Sequence, residues 1–189
     1  MPDQLSPEEK TLLLHIARTA IEKAVRGQRE APVDISILSP LLQEPGCSFV
    51  TLTRHGNLRG CIGSLEPALP LAEDVRQHAI AAALQDYRFP PVVPDEIPVL
   101  EIEISRLTRP QPLVYERPDD LPRLLHPGQD GVVLHDRYQR ATFLPQVWEK
   151  LPSPEEFLGH LCQKMGAPAS LWRSKKLQVE IYHVEEFHE

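Results

Sequence analysis

Cys47-Ser48-Phe49-Val50-Thr51-Leu52-Thr53-Arg54, then His55-Gly56-Asn57, then Leu58-Arg59-Gly60-Cys61-Ile62-Gly63 is the stretch whose reading decides the fold. A strand-forming run meets turn residues and returns as a second short run. This predicts a β-hairpin with strands over 47–54 and 58–62. Downstream, Leu100, Ile102 and Ile104 alternate with Glu101, Glu103 and Ser105, which predicts a strand with one buried and one wet face. Strands joined by short turns, with a few helices interspersed, favour an α+β fold over strict βαβ alternation. Its sheet is expected to be mixed or largely antiparallel, with flanking helices.

The helices read outward from there. Ser6, Pro7 and Glu9 supply a cap, a first-turn proline and a capping box, and Gly27 supplies a stop. Between them Leu13, Ile16, Ala17, Ala20, Ile21 and Ala24 recur at helical spacing. One helical turn is expected near Pro40-Leu41-Leu42. A second long helix is expected from Leu71 to Gln85, with Leu71, Val75, His78, Ala79 and Ala82 on one side. The segment 86–91 must be a loop, because adjacent prolines cannot continue a helix.

In the second half the reading gives a short helix near Asp120 to Leu125 and a hairpin from Gly131–His135 to Arg140–Leu144. A helix opens at Ser153 with the same capping-box logic and ends near Gly166, and a last strand runs from about Leu177 to Val184. Glu185-Glu186-Phe187-His188-Glu189 reads as a solvated end. No repeat or low-complexity segment interrupts this order.

Composition narrows the function classes. The 189 residues, 41% hydrophobic and 25% charged, suit one sizeable core or two packed subdomains. A net charge of -7 opposes nonspecific contact with nucleic acid or anionic lipid, so neither partner is expected. No stretch approaches the ~20 apolar residues of a membrane span. Met1-Pro2-Asp3-Gln4-Leu5 lacks the regions of a signal peptide, and three widely separated cysteines do not make a disulfide framework. A cytoplasmic, reducing setting is the expectation. Eight histidines form no metal-binding motif, and phosphate-loop and dinucleotide fingerprints are missing, so no metal and no cofactor is expected.

The candidate chemistry centres on Cys61. Glycine permits positive φ or the close approach of a backbone or ligand, and Gly60 and Gly63 both lie close to the cysteine. Cys61 is the candidate nucleophile or reactive thiol. Arg59, Gly60, Gly63, Asp86 and Arg88 are the candidate substrate-binding residues, with Arg59 able to activate the thiol or bind an acidic group. Asp86 and Arg88, on a proline-braced loop, could hold a substrate's charged ends. The competing readings are a cysteine packed as a small apolar residue and an ordinary loop salt bridge. His55, His78 and His135 are possible bases, His78 being equally a satisfied, partly buried histidine. Asp130 and Gln146 read either as cleft residues or as turn and capping groups, Lys164 as a helix-dipole partner, and Cys47 and Cys162 as core.

Several segments together resemble the AMMECR family, called AmmeMemoRadiSam system protein A in prokaryotes. They are Leu58-Arg59-Gly60-Cys61-Ile62-Gly63-Ser64-Leu65-Glu66-Pro67, Asp86-Tyr87-Arg88-Phe89-Pro90-Pro91, the strand Leu100–Ser105, Asp130-Gly131-Val132-Val133, Ala141–Trp148 and Phe157–Lys164. They cover nearly the whole chain in the family's order. One departure is the turn Asp136-Arg137-Tyr138-Gln139, where a glycine is expected. The resemblance implies a single AMMECR-type domain over 1–189, with two intimately packed subdomains sharing the chain and a cleft beside the cysteine motif. It implies a genetic association with Memo-like and radical-SAM proteins, but no settled activity. Two functions stay open: a cysteine-dependent enzyme or enzyme component acting on a small molecule, and a non-catalytic binding or adaptor protein serving those partners.

Overall fold

The computed structural model describes residues 4–28 and 31–189, so Met1–Asp3 of the N-terminal stretch read above lie outside it. The chain forms two compact units. The first joins the described residues before 109 to 185–189, and the second spans 109–184.

In the first unit the hairpin is β1 (Pro45–Arg54) and β2 (Asn57–Gly63). Arg54 faces Asn57, leaving a two-residue loop of His55 and Gly56, both with positive φ (52° and 74°). That pair of left-handed residues matches the twist of a tight hairpin. After the short β3 (Leu69–Pro70) come β4 (Leu100–Leu107) and, at the chain end, β9 (Val184–His188). The sheet order is β2-β1-β4-β9, with β3 also on β1, and β1 is antiparallel to β2, β3 and β4.

Two helices cover one face of this sheet: α1 (Pro7–Val25) and, after the single turn α2 (Pro40–Gln43), α3 (Leu71–Leu84). The capping box forms as the sequence requires: Glu9 N–H donates to Ser6 Oγ (3.2 Å) and Ser6 N–H to Glu9 Oε2 (2.7 Å). Leu13, Ala17 and Ile21 of α1 and Val75, Ala79 and Ala82 of α3 close over Val50, Leu52, Ile102 and Ile104. Small side chains on α3 bring that helix close to the strands.

Two expectations fail here. Ser105 was expected to be wet but is buried, standing beside Phe49 in the β1–β4 register. The terminal segment is not a solvated end, because it is β9. Phe187 joins the core at 8% exposure, and Glu185 accepts from Arg106 Nη1 (2.8 Å) and from Leu5 N–H (3.2 Å). Alternation places Phe187 and Glu185 on one side of the strand, and Arg106 gives the carboxylate a partner. A tail of four polar residues in five can therefore dock.

In the second unit, the sheet is β5-β8-β6-β7, built from β5 (Gln111–Pro112), β6 (Gly131–Asp136), β7 (Gln139–Phe143) and β8 (Gln178–Tyr182). The last strand expected over about 177–184 is β8, and after His183 the chain goes on as β9 in the sheet of the first unit. The turn without a glycine closes through Arg137, which takes φ 56°. Between β5 and β6 lies the one-turn α4 (Leu121–Leu124), and after β7 come α5 (Pro154–Lys164) and the short α6 (Leu171–Ser174). Ser153 caps α5 through Glu156 N–H (3.4 Å), but Glu156 does not return the bond, so only half the expected box forms. Phe157 of α5 stacks on Trp148 at 3.7 Å and meets Phe143 edge-on. Asp130, 1% exposed, accepts from His126 N–H (2.7 Å), a capping role, and Lys164 Nζ donates to Thr142 O (2.8 Å). Among the described residues no helix is long and apolar enough to cross a membrane.

Replacing Phe187 by Ala removes a buried aromatic ring, and such changes cost ~3 kcal/mol or more. F187A is expected to lower the urea midpoint of unfolding clearly, whereas Phe187→Leu recovers most of the loss. An unchanged midpoint for F187A would show that the last strand is not docked.

Candidate functional site

The site is built from the end of α3. A Cβ on Gly60 would lie 2.1 Å from the carbonyl oxygen of Ala82, so this glycine lets the helix backbone rest directly on β2. At Gly63 the Cβ would fall 2.4 Å from the Phe49 ring and from Ser48 O. The room left by each glycine is taken by protein atoms. The helix then stops: Gln85 N–H donates to Ala81 O (2.8 Å), and the next residue is Asp86.

β2 is an outer strand, and Cys61 would leave an unpaired N–H and carbonyl on its free edge. Asp86 and Arg88 take both. Cys61 N–H donates to Asp86 Oδ2 (2.9 Å), and Arg88 Nη2 donates to Cys61 O (3.1 Å). The two side chains are also joined to each other, Arg88 Nε to Oδ1 (2.9 Å) and Nη2 to Oδ2 (2.6 Å), while Arg88 N–H closes the turn on Oδ1 (3.2 Å). Hydrogen bonds from the Arg88 guanidinium, helped by the N–H groups of Cys61 and Arg88, hold the Asp86 carboxyl well below the usual carboxylate range despite its burial. Asp86 is spent inside this clasp, with its side chain 2% exposed. Arg88, at 43%, keeps an open flank.

Arg59 is turned elsewhere. In the hairpin Leu52 faces Gly60 and Thr53 faces Leu58, so Arg59 is the extra residue of a β-bulge. Its guanidinium makes a two-point pair with Glu96 (Nε–Oε1 2.9 Å, Nη2–Oε2 2.9 Å), and Arg54 Nη1 adds 2.8 Å to Oε1. Hydrogen bonds from Arg59, with the Val93 N–H and Arg54 assisting, hold the Glu96 carboxyl at about 2, against the opposing effect of burial.

Cys61 itself stands opposite Thr51, on the sheet face away from the Val50 and Leu52 core. Its sulfur accepts from Thr51 Oγ1 at 3.3 Å; the residue is half-buried, while Cys47 and Cys162 are buried, and all three are free thiols. Burial pushes the Cys162 thiol up. None of the three candidate histidines hydrogen-bonds Cys61. His78 Nδ1 faces Asp74 Oδ2 (3.2 Å), His135 Nε2 faces Glu180 Oε2 (2.8 Å), and His55 sits in the hairpin turn. The structure thus gathers Cys61, Asp86 and Arg88 into one unit, with Arg59 beside it on the strand.

The sequence reading singles out His78 but not Glu96, Thr51, Ser48 or Asp74; the structure joins Ser48 and Asp74, both buried, to the partly buried His78. Ser48 Oγ donates to Asp74 Oδ2 (2.6 Å) and lies 3.4 Å from His78 Nδ1. Both contacts of the imidazole use one nitrogen, whereas a catalytic triad uses two, so the trio locks α3 to β1. Asp74 and His78 carry the i,i+4 signal that could have revealed this pair. Glu96 had no such signal, being 37 positions from its partner. Among the described residues no group of three His, Cys, Asp or Glu side chains could hold a metal ion.

Comparison with known proteins places this geometry in a wider set. The family model described as AMMECR1 matches residues 14–187. A protein of Methanothermobacter thermautotrophicus is 40% identical over 98% of this chain and 96% of its own length. Protein MJ0810 of Methanocaldococcus jannaschii is 33% identical over 98% and 92%. The crystal structure of uncharacterized protein PH0010 from Pyrococcus horikoshii superposes with a TM-score of 0.69 at 35% identity, covering 94% of this chain and 90% of that one.

Two outcomes follow from the geometry. Gly60→Ala must push α3 off β2 and is expected to cost ~2 kcal/mol, as overpacked sites do, measured by urea unfolding. Glu96, with its pKa lowered on folding, stabilises above the usual glutamate value of about 4.3, and that contribution fades as pH falls towards about 2. Glu96→Gln is therefore expected to lower stability at pH 7 and to flatten its decline between those limits, read from thermal midpoints across the acid range. An unchanged acid profile would show that Arg59 does not depend on the carboxylate.

Proposed function

The chain belongs to the AMMECR1 family, and from that premise we propose that Cys61 is the working thiol of a site that acts on a small molecule. The observation that carries this reading is the contrast between backbone and side chain at one residue. Asp86 and Arg88 immobilise both polar backbone groups of Cys61, and Cys61 alone among the three cysteines is not a buried residue. A reacting atom held this way loses little freedom when a substrate arrives. In this reading the open flank of Arg88 receives a negative group of the substrate, and Asp86 is a positioning residue.

A second reading, a non-catalytic protein that binds Memo-like and radical-SAM partners, is favoured by one observation. The sulfur's hydrogen-bond partner is the Thr51 hydroxyl, a group unsuited to take its proton. Under the first reading a base must come from the substrate, from water or from another protein.

Timed alkylation with iodoacetamide at neutral pH, mapped by mass spectrometry, tests the first reading. Cys61 is expected to react about tenfold or more faster than Cys47 and Cys162. Asp86→Ala is expected to change the Cys61 rate while leaving the other two slow. In the native host, metabolite levels in a Cys61→Ser strain should match those of a strain lacking the gene. If Cys61 is inert to alkylation and C61S behaves as wild type, the thiol reading fails. Recovery of a partner whose binding depends on Arg88 but not on Cys61 would then favour the adaptor.

A further inference from the structure

We propose that the groove beside the hairpin turn of the first unit binds a small amphiphilic anion, a carboxylate carried on an apolar body. The groove has a volume of about 520 Å³, within the range of small-molecule sites, and Cys61 does not line it. It stands apart from the thiol reading and does not depend on it.

One wall is apolar. Leu58 and Val93 are 46% and 52% exposed, and Phe89 and the Pro90-Pro91 pair continue the surface between them. This wall is stiff. Two consecutive prolines fix its backbone, and Val93 N–H is tied to Glu96 Oε2 (3.1 Å). A preformed wall loses little entropy when it is covered.

The other wall carries more positive charge than it neutralises. Arg54 and Arg59 share the single carboxylate of Glu96, and His55 lies next to them. Arg59 Nη1 is shut from solvent with no acceptor among the described residues, so its charge is only partly answered. The Arg54 side chain is 48% exposed and can turn a donor to a ligand without breaking the inner pair of Arg59 with Glu96. This local excess stands out in a chain of net charge -7.

The two walls together select the ligand. A cation would meet Arg54 and Arg59. A purely apolar molecule would strip water from Arg54 and return nothing, and a purely polar anion would leave Leu58, Phe89 and Val93 wet. A carboxylate on an aromatic or aliphatic body satisfies both sides.

The test titrates 4-phenylbutyrate into the full-length chain, following the methyl resonances of Leu58 and Val93, with 4-phenylbutanol as the uncharged counterpart. The acid is expected to saturate those shifts and to bind about fivefold tighter than the alcohol, the size of one partly exposed charge contact. Arg54→Gln should bring the acid to the level of the alcohol, and Leu58→Ser should weaken both. Binding should persist in Cys61→Ser, whatever the alkylation experiment shows. Shifts that do not saturate, equal affinity for acid and alcohol, an unaffected R54Q variant, or loss of binding in C61S would each overturn the proposal.

Discussion

The contact on which the site depends is the seat of α3 on Gly60. With the Ala82 carbonyl 2.1 Å from where a side chain would begin, the last turn of the helix has one available depth against β2. The helix ends two residues later at Leu84, and Asp86, four residues after Ala82, falls level with the free edge of the strand at Cys61. A methyl group at position 60 would lift that helix end and carry the carboxylate out of range of a hydrogen bond that is now 2.9 Å. The glycine therefore acts on the cysteine through the helix, with no need to touch a ligand.

An outer strand must dispose of its unpaired edge, and proteins commonly do so with charge, bulges or a covering segment. All three occur on β2. Asp86 and Arg88 cover Cys61, Arg59 bulges out of the ladder, and the 94–99 turn lies against that bulge through Glu96. Both anchoring cations are arginines, whose planar fork meets a carboxylate at two points; a lysine offers only a point charge. Complete pairs on a buried carboxylate add little beyond what apolar contacts would give, since burial of the charge cancels much of the attraction, whereas removing one partner is costly. Their effect is on geometry, because a misplaced segment would leave a buried carboxylate without a cation.

The same economy governs the chain end. Glu185 enters the first unit because Arg106, Lys10 and the Leu5 N–H receive it, and Phe187 then covers Ile102 and its neighbours in the core. Residues 109–184 between β4 and β9 carry their own core, in which Trp148 and Phe157 stack. A continuous sequence thus builds one discontinuous unit and one continuous unit. The strand expected over residues 177–184 forms as β8, and the strand after it, β9, belongs to the other sheet.

By itself the sequence determined whatever is local. The Ser6 cap, the Gly27 stop, the hairpin turn at His55-Gly56, the alternation of Leu100, Ile102 and Ile104 and the α+β class all rest on spacings of two to four residues. Such spacings read directly as strand or helix period. Cys61, Asp86 and Arg88 were also legible as candidates, but their relation was not. Asp86 lies 25 positions from Cys61 and Glu96 lies 37 from Arg59, so no periodicity links them. Only the tertiary structure decided that the carboxylate holds the cysteine backbone, that the glycines make room for α3 and Phe49, and that the charged tail is a core strand. The physical reason is that a polar group's role depends on which partner burial leaves within about 3 Å of it, and that partner is set by packing.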